Sequence, residues 1–182
     1  MSAHFIAKNC APTLAGLKAG SLFPVYGEEN ELLGAVSELD SHLNKKGVHA
    51  RLLWRKSCGY GLVYIYRTSG LIRLLENNEI TDFLNNYGYS KGSIPEYLDH
   101  LEQRLDSSEF PHEIGVFLDY PLDDIKAFIK NRGCNCPCTG CWKAYTNVPE
   151  AKKTFRKFNE CTDSYCRRML ADEDLIRFAK AG

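Results

Sequence analysis

The sequence predicts an α+β fold in which a small, mostly antiparallel sheet packs with about seven helices. Three observations carry this. Residues 48–67 read as a two-stranded hairpin, most of the remaining apolar residues recur at helical spacing, and a short extended piece lies near 142–145. The chain has 182 residues, 44% hydrophobic and 25% charged. That length is enough for one well-buried core, so residues 1–182 are read as a single domain.

The elements follow in order. Pro12 stands where a short helix through Leu14 and Leu17 would open, because proline suits a first helical turn. In "ENELLGAVSELDSHLNKKG", Leu32, Leu33, Val36, Leu39 and Leu43 share one face, and Gly47 is placed to end that helix. "VHARLLWR" alternates apolar and polar residues, as a strand with one wet face does. "KSCG" turns into "YGLVYIYR", which is apolar on both faces and reads as a central strand. "LIRLLENN" and "EITDFLNNYG" are short helices. "SIPEYLDHLEQRLDSS" opens with Ser93 and Glu96 at capping-box spacing. "PHEIGVFLDYPLDDIKAFIKNRG" reads as two helices broken at Tyr120-Pro121, the second ended by Gly133. A longer helix runs from about Pro149 to Leu170, and Asp172 is placed to cap a last one with Leu175, Ile176 and Phe178 inside.

The charge balance excludes some functions. Lys+Arg and Asp+Glu are both 23, so there is no basic excess for nucleic acid. The second helix of the 112–133 pair opens with Asp123 and Asp124, which would face phosphates in a helix-turn-helix. No glycine-rich phosphate loop follows a strand. No apolar run approaches the ~18 residues of a membrane span, and the N-terminus lacks a signal-peptide pattern. The expected compartment is the cytoplasm, where the eight cysteines would be thiols, ligands or buried hydrophobes rather than disulfides.

Four of those cysteines, Cys134, Cys136, Cys138 and Cys141, crowd into "GCNCPCTGCWKAY". Thiolates bind zinc, iron and copper(I), and Cys138-x2-Cys141 has the spacing of a metal knuckle. Cys161 and Cys166 follow, but their spacing inside a predicted helix sends the two sulfurs ~140° apart around its axis. The expected ligand set is therefore drawn from Cys134, Cys136, Cys138, Cys141 and Cys161, with zinc, iron or an iron–sulfur cluster as cofactor. The corresponding function is metal or redox homeostasis, with a redox or metal-handling protein as partner.

A second reading is a cysteine-nucleophile enzyme. Cys10 stands just before Pro12, where a helix N-terminus would lower the thiol pKa, and His112 in "FPHEIG" is the available base. "HEIGV" is not a zinc-protease motif, because the residue four after His112 is Val116. Trp142 and Lys143 can hold a cofactor by stacking and charge, or serve as a core tryptophan beside an exposed lysine. A third reading is a structural or partner-binding protein without catalysis.

"CAPTLAGLKAGSLF", "FPHEIGVFLDYPLDDIKAFIKN" and "GCWKAY", in that order, resemble an uncharacterised family of small bacterial proteins. It is common in anaerobes and known as a domain of unknown function, number three-seven-nine-three. The resemblance spans nearly the whole chain and implies no defined activity. Relatives of that family usually carry an aromatic residue where this chain has Cys141, and a genomic neighbourhood of iron-uptake and flavodoxin genes points toward metal or redox physiology.

Overall fold

The computed structural model describes residues 1–107, 109–170 and 179–180. The helix expected beyond Asp172 lies outside them. The element order is α1 (Ala3–Leu14), β1 (Gly20–Val25), α2 (Glu29–Leu43), β2 (Val48–Arg55), β3 (Tyr60–Arg67), α3 (Thr68–Leu75), α4 (Asn78–Asn85), α5 (Ile94–Leu105), a 3-10 turn (His112–Gly115), α6 (Leu122–Lys130), the short strands β4 (Cys138–Thr139) and β5 (Lys143–Ala144), and α7 (Val148–Leu170). The α+β class and the antiparallel 48–67 hairpin are as the sequence predicts.

The main sheet is antiparallel with order β1-β3-β2. Val63 of β3 sits opposite Phe23 on one side and Leu52 on the other. Because side chains alternate along a strand, β3 feeds two cores. Val63 and Ile65 pack with Phe23, Leu52 and residues of α1, α2 and α7. Leu62 and Tyr64 pack with Leu53 and residues of α3, α4, α5 and α6. The sheet is thus the middle of three layers. The exposed N–H groups of edge strand β2 are covered by carboxylates: Asp40 accepts from Ala50 at 2.8 Å and Glu102 from Trp54 at 2.9 Å. Such caps remove the open edge that invites strand addition.

Several details differ from the expectation. The first helix begins at Ala3, where Ser2 caps it by accepting from the Phe5 N–H at 3.3 Å, and Pro12 lies inside its last turn. Its C-terminal carbonyls are closed by Arg67, which is buried in the interior and donates to Thr13 and Leu14 at 2.6 Å each. The expected helix through Leu17 is therefore corrected to a connection that leads into β1. Leu33 is turned outward and 54% exposed, while Val36 and Leu43 hold the buried face of α2. The first half of the 112–133 pair is a single 3-10 turn rather than an α-helix. The strand near 142–145 pairs with Cys138–Thr139 in its own two-stranded ribbon, and the third strand of the main sheet comes from Gly20–Val25. No helix among the described residues is long and apolar enough to cross a membrane.

Candidate functional site: an apolar pocket beside the cysteine loop

Asp124 organises the site. It is the third residue of α6 and only 3% exposed. Its Oδ2 accepts from the Trp142 Nε1–H at 2.8 Å. Its Oδ1 accepts from the backbone N–H groups of Tyr145 and Thr146 at 2.8 and 2.9 Å, and from the Thr146 hydroxyl at 2.9 Å. Burial pushes its carboxyl toward the neutral form, and these hydrogen bonds more than offset that, so it titrates below the usual aspartate range. Asp124 thereby fastens the ribbon to α6. It is not the phosphate-repelling surface acid that the sequence implied.

The loop before the ribbon is tied at both ends. Gly133, with φ +71°, closes α6 by donating to the Phe128 carbonyl at 2.9 Å, as expected of a left-handed helix end. The Tyr145 hydroxyl donates to the Cys134 carbonyl at 3.0 Å, and the Tyr120 hydroxyl to the Cys141 carbonyl at 2.9 Å. Gly140 leaves room for the Phe155 ring, because a Cβ there would stand 2.2 Å from it.

Between the 3-10 turn, α6 and the ribbon lies a pocket of about 320 Å³. Phe110, Ile114, Leu118, Ile125, Phe128 and Trp142 make most of its wall, and His112, Tyr120, Asp124, Thr139 and Lys143 supply the polar groups. The His112 ring packs edge-on against Phe128 at 4.9 Å between centroids. Trp142 is held between Tyr120 at 5.3 Å and the edge of Phe155 at 4.5 Å. The Lys143 ammonium donates to the Gly133 carbonyl at 2.7 Å and lies 5.8 Å over the Phe128 ring. Three residues nominated from the sequence for different roles, His112, Trp142 and Lys143, thus meet in one cavity.

The thiols are distributed differently. Cys134 and Cys141 are exposed, and Cys136 and Cys138 are half-buried. Cys134 and Cys136 both lie in the electrostatic neighbourhood of Tyr145, and the Cys136 sulfur is 3.2 Å from the Thr139 hydroxyl. Cys138 packs with Ala144, Ala151 and Phe155. Cys141 faces Lys18; partial desolvation of its sulfur raises its pKa, although the residue as a whole is exposed, and the ammonium partly counters that. Cys161 lies on α7 against the α1 core, also raised by burial. Among the described residues no three His, Cys, Asp or Glu side chains stand close enough to hold one metal ion.

Cys10 is not at a helix N-terminus. It lies in the body of α1, with no exposed surface, and its thiol donates to the Ile6 carbonyl at 2.9 Å. Burial drives its pKa up, with only a partial counter-effect from Lys18, so it is a thiol at neutral pH. It belongs to the core on one face of the sheet, while His112 lines the pocket on the other face. The expected nucleophile–base pair is not brought together. Asp124 and Tyr120, which shape the pocket, went unrecognised in the sequence; the only signal was an acid in a helix first turn, which is ordinary.

No curated protein and no solved structure matches the chain. A family model described as "Protein of unknown function (DUF3793)" matches residues 6–178, so this chain belongs to that family.

Proposed function

We propose that this protein binds a small, flat, largely apolar molecule that carries an anionic group, in the pocket between the 3-10 turn, α6 and the ribbon. The observation that carries the reading is the lining: aromatic and aliphatic walls with one ammonium, one imidazole and one carboxylate, Asp124, whose two oxygens are already taken up by donors from Trp142, Tyr145 and Thr146. Ligand sites of this kind pair an apolar wall with a few polar groups that fix orientation. Trp142 and Tyr120 offer ring faces, each worth about 0.5–1.5 kcal/mol in a stacked contact. Lys143 uses one of its three donors on Gly133 and has two left for an anion. The test uses 8-anilinonaphthalene-1-sulfonate, an aromatic sulfonate, with the dye's own emission and its partition in equilibrium dialysis as the readouts. Saturable binding with enhanced emission is expected. It should be lost in Thr139→Trp, which fills the exposed mouth, and weakened about tenfold in Lys143→Met. Equal binding by all three proteins would refute the reading.

A second reading keeps a metal ion or iron–sulfur cluster on the thiol loop, in exchange with a redox or metal-handling partner. Accessibility favours it: four thiols within one short surface loop are all exposed or half-buried. The loop would have to regroup its sulfurs around the ion. Metal analysis and a visible spectrum of anaerobically purified protein decide it, and a colourless, metal-free sample that also fails to take up zinc or iron would end it.

A further inference from the structure

Lys18 stands in the connection between α1 and β1, and its ammonium has no ion-pair partner among the described residues. Asp119, which shares a neighbouring cleft with it, is engaged by Arg73 at 2.8 Å and by the Ala19 N–H at 2.9 Å. The Lys18 Nζ lies instead 5.3 Å from the centre of the Tyr120 ring and 5.8 Å from that of Phe158, contacts that favour a charged amine. Both rings wall a surface cleft of about 270 Å³. The charged groups in that wall are two ammoniums, Lys18 and Lys8 of α1, and the wall holds no carboxylate. Asn159 and Thr162, three residues apart on one face of α7, add an amide and a hydroxyl without partners among the described residues. Asn9 and Ser21 complete the polar wall, each already bonded within the chain, to Phe5 and Thr13, at 2.8 Å. A half-buried ammonium without a counter-ion is costly to keep, and an anion in the cleft would relieve it.

The cleft adjoins the apolar pocket. Leu22, Leu118 and Tyr120 wall both, whereas Lys8 and Lys18 are not among the walls of the pocket. Tyr120 is fixed as the shared partition: its hydroxyl donates to the Cys141 carbonyl at 2.9 Å and its ring packs on Trp142 at 5.3 Å. A molecule seated in the pocket therefore has, past Tyr120, a polar compartment of one charge sign. Two ammoniums match a phosphate monoester, which carries about −1.5 to −2 charge at neutral pH and offers three strong acceptor oxygens. A carboxylate would balance only one of them. We propose that the cleft is a phosphate subsite: the ligand of the apolar pocket is a flat ring compound whose short arm passes Tyr120 and ends in a phosphate monoester, held by Lys18 and Lys8 with Asn159 and Thr162 donating to its oxygens. The proposal rests on the pocket reading and adds a second anionic group to the one that faces Lys143. Binding is reversible, and no covalent bond is made or broken.

Isothermal titration calorimetry with 2-(1-naphthyl)ethyl phosphate and its phosphate-free counterpart, 2-(1-naphthyl)ethanol, tests the assignment. The ester is expected to bind the wild type about tenfold tighter than the alcohol, or more, through charge-assisted hydrogen bonds to the phosphate. Lys18→Met should abolish most of that advantage, and Lys18→Arg should keep most of it. Lys143→Met should leave the ester-to-alcohol ratio unchanged, because its ammonium belongs to the pocket. Far-ultraviolet circular dichroism checks the fold of each variant; the wild-type and Lys143→Met ratios decide the matter even if Lys18→Met folds poorly. Equal affinities for ester and alcohol in the wild type overturn the proposal. A ratio that is lost in Lys143→Met and kept in Lys18→Met overturns it too, since the phosphate would then sit inside the apolar pocket. The dye 8-anilinonaphthalene-1-sulfonate keeps the two readings apart. If it binds and is displaced by Thr139→Trp while the ester has no advantage, the phosphate subsite falls and the pocket stands. If neither the dye nor the alcohol binds, the pocket falls and the ring-and-arm ligand falls with it.

Discussion

Asp124 carries more of the candidate site than any residue the sequence singles out. One carboxylate accepts four hydrogen bonds, from Trp142, Tyr145 and Thr146, and so decides where the pocket wall stands. Removing it leaves two part-buried backbone N–H groups and an indole N–H without their acceptor. Hydrogen bonds to a charged group are worth about 1.5–3 kcal/mol, and orphaned donors add to the loss. Asp124→Ala is therefore expected to cost about 3 kcal/mol in urea unfolding and to erase the near-ultraviolet signal of a fixed Trp142. The pH dependence has a definite sign. The folded carboxyl titrates below its unfolded value, so its contribution is complete above about pH 4 and is lost as pH falls below the ordinary aspartate range. At this scale the sequence was partly legible. Trp142 and Lys143 stood out as a stacking-and-charge pair and His112 as a lone histidine, and all three do line one cavity. Cys10 misled because a proline two residues on resembles a helix start, whereas the Ser2 cap begins the helix earlier and buries the thiol.

At the scale of elements, the strand that escaped sequence reading is the one that ties the two ends of the molecule to its middle. "GSLFPV" opens on glycine and contains proline, residues that weaken a strand pattern. Both have a local reason. Pro24 lies in β1, an edge strand, where a missing donor is tolerated. Gly20 sits where a Cβ would come within 2.3 Å of the Phe117 carbonyl oxygen and 2.5 Å of the Tyr64 hydroxyl. Those two atoms are themselves hydrogen-bonded at 2.6 Å, so neither can move aside without breaking a buried contact. Gly20→Ala is expected to destabilise by about 2 kcal/mol or more. Its loss should fall in the same unfolding transition as that of Tyr64→Phe, which keeps the ring and removes the hydrogen bond. If Gly20→Ala is as stable as the wild type in urea, the close approach of β1 to the Phe117 segment is wrong. The longer helices were easier to read because each has an apolar repeat of its own; Val148–Leu170 was visible to within a residue or two at its start. The ribbon was visible as an extended piece, but its partner was not, since two-residue strands carry no periodicity to match.

At the scale of the molecule, three layers place a half-buried ammonium where α1, the cysteine loop and the turn before α6 meet. The layering was implicit in one feature of the sequence: β3 is apolar on both faces and therefore needs cover on both. Which helices go to which face is decided by long-range packing, and no local pattern encodes it. The cost of the arrangement appears at Lys18. Desolvation is the leading influence on it, and its pKa falls to about 8, against about 10.4 in an unfolded chain. Between those two values the unfolded state binds more protons than the folded state, so stability must rise as pH increases from about 8 to about 10.4. Below about 8 both states carry the proton, and this term is flat. At neutral pH the buried charge then weakens the fold by an amount on the order of 1–3 kcal/mol. Lys18→Met keeps the apolar stem between Tyr120 and Phe158 and deletes the charge. It is expected to be more stable than the wild type at pH 7, with the difference shrinking toward zero by about pH 10.5. Chemical denaturation of both proteins at matched pH values measures this. A Lys18→Met variant that is less stable at pH 7 would mean that the Tyr120 and Phe158 rings and the surrounding water stabilise the ammonium by more than its desolvation costs.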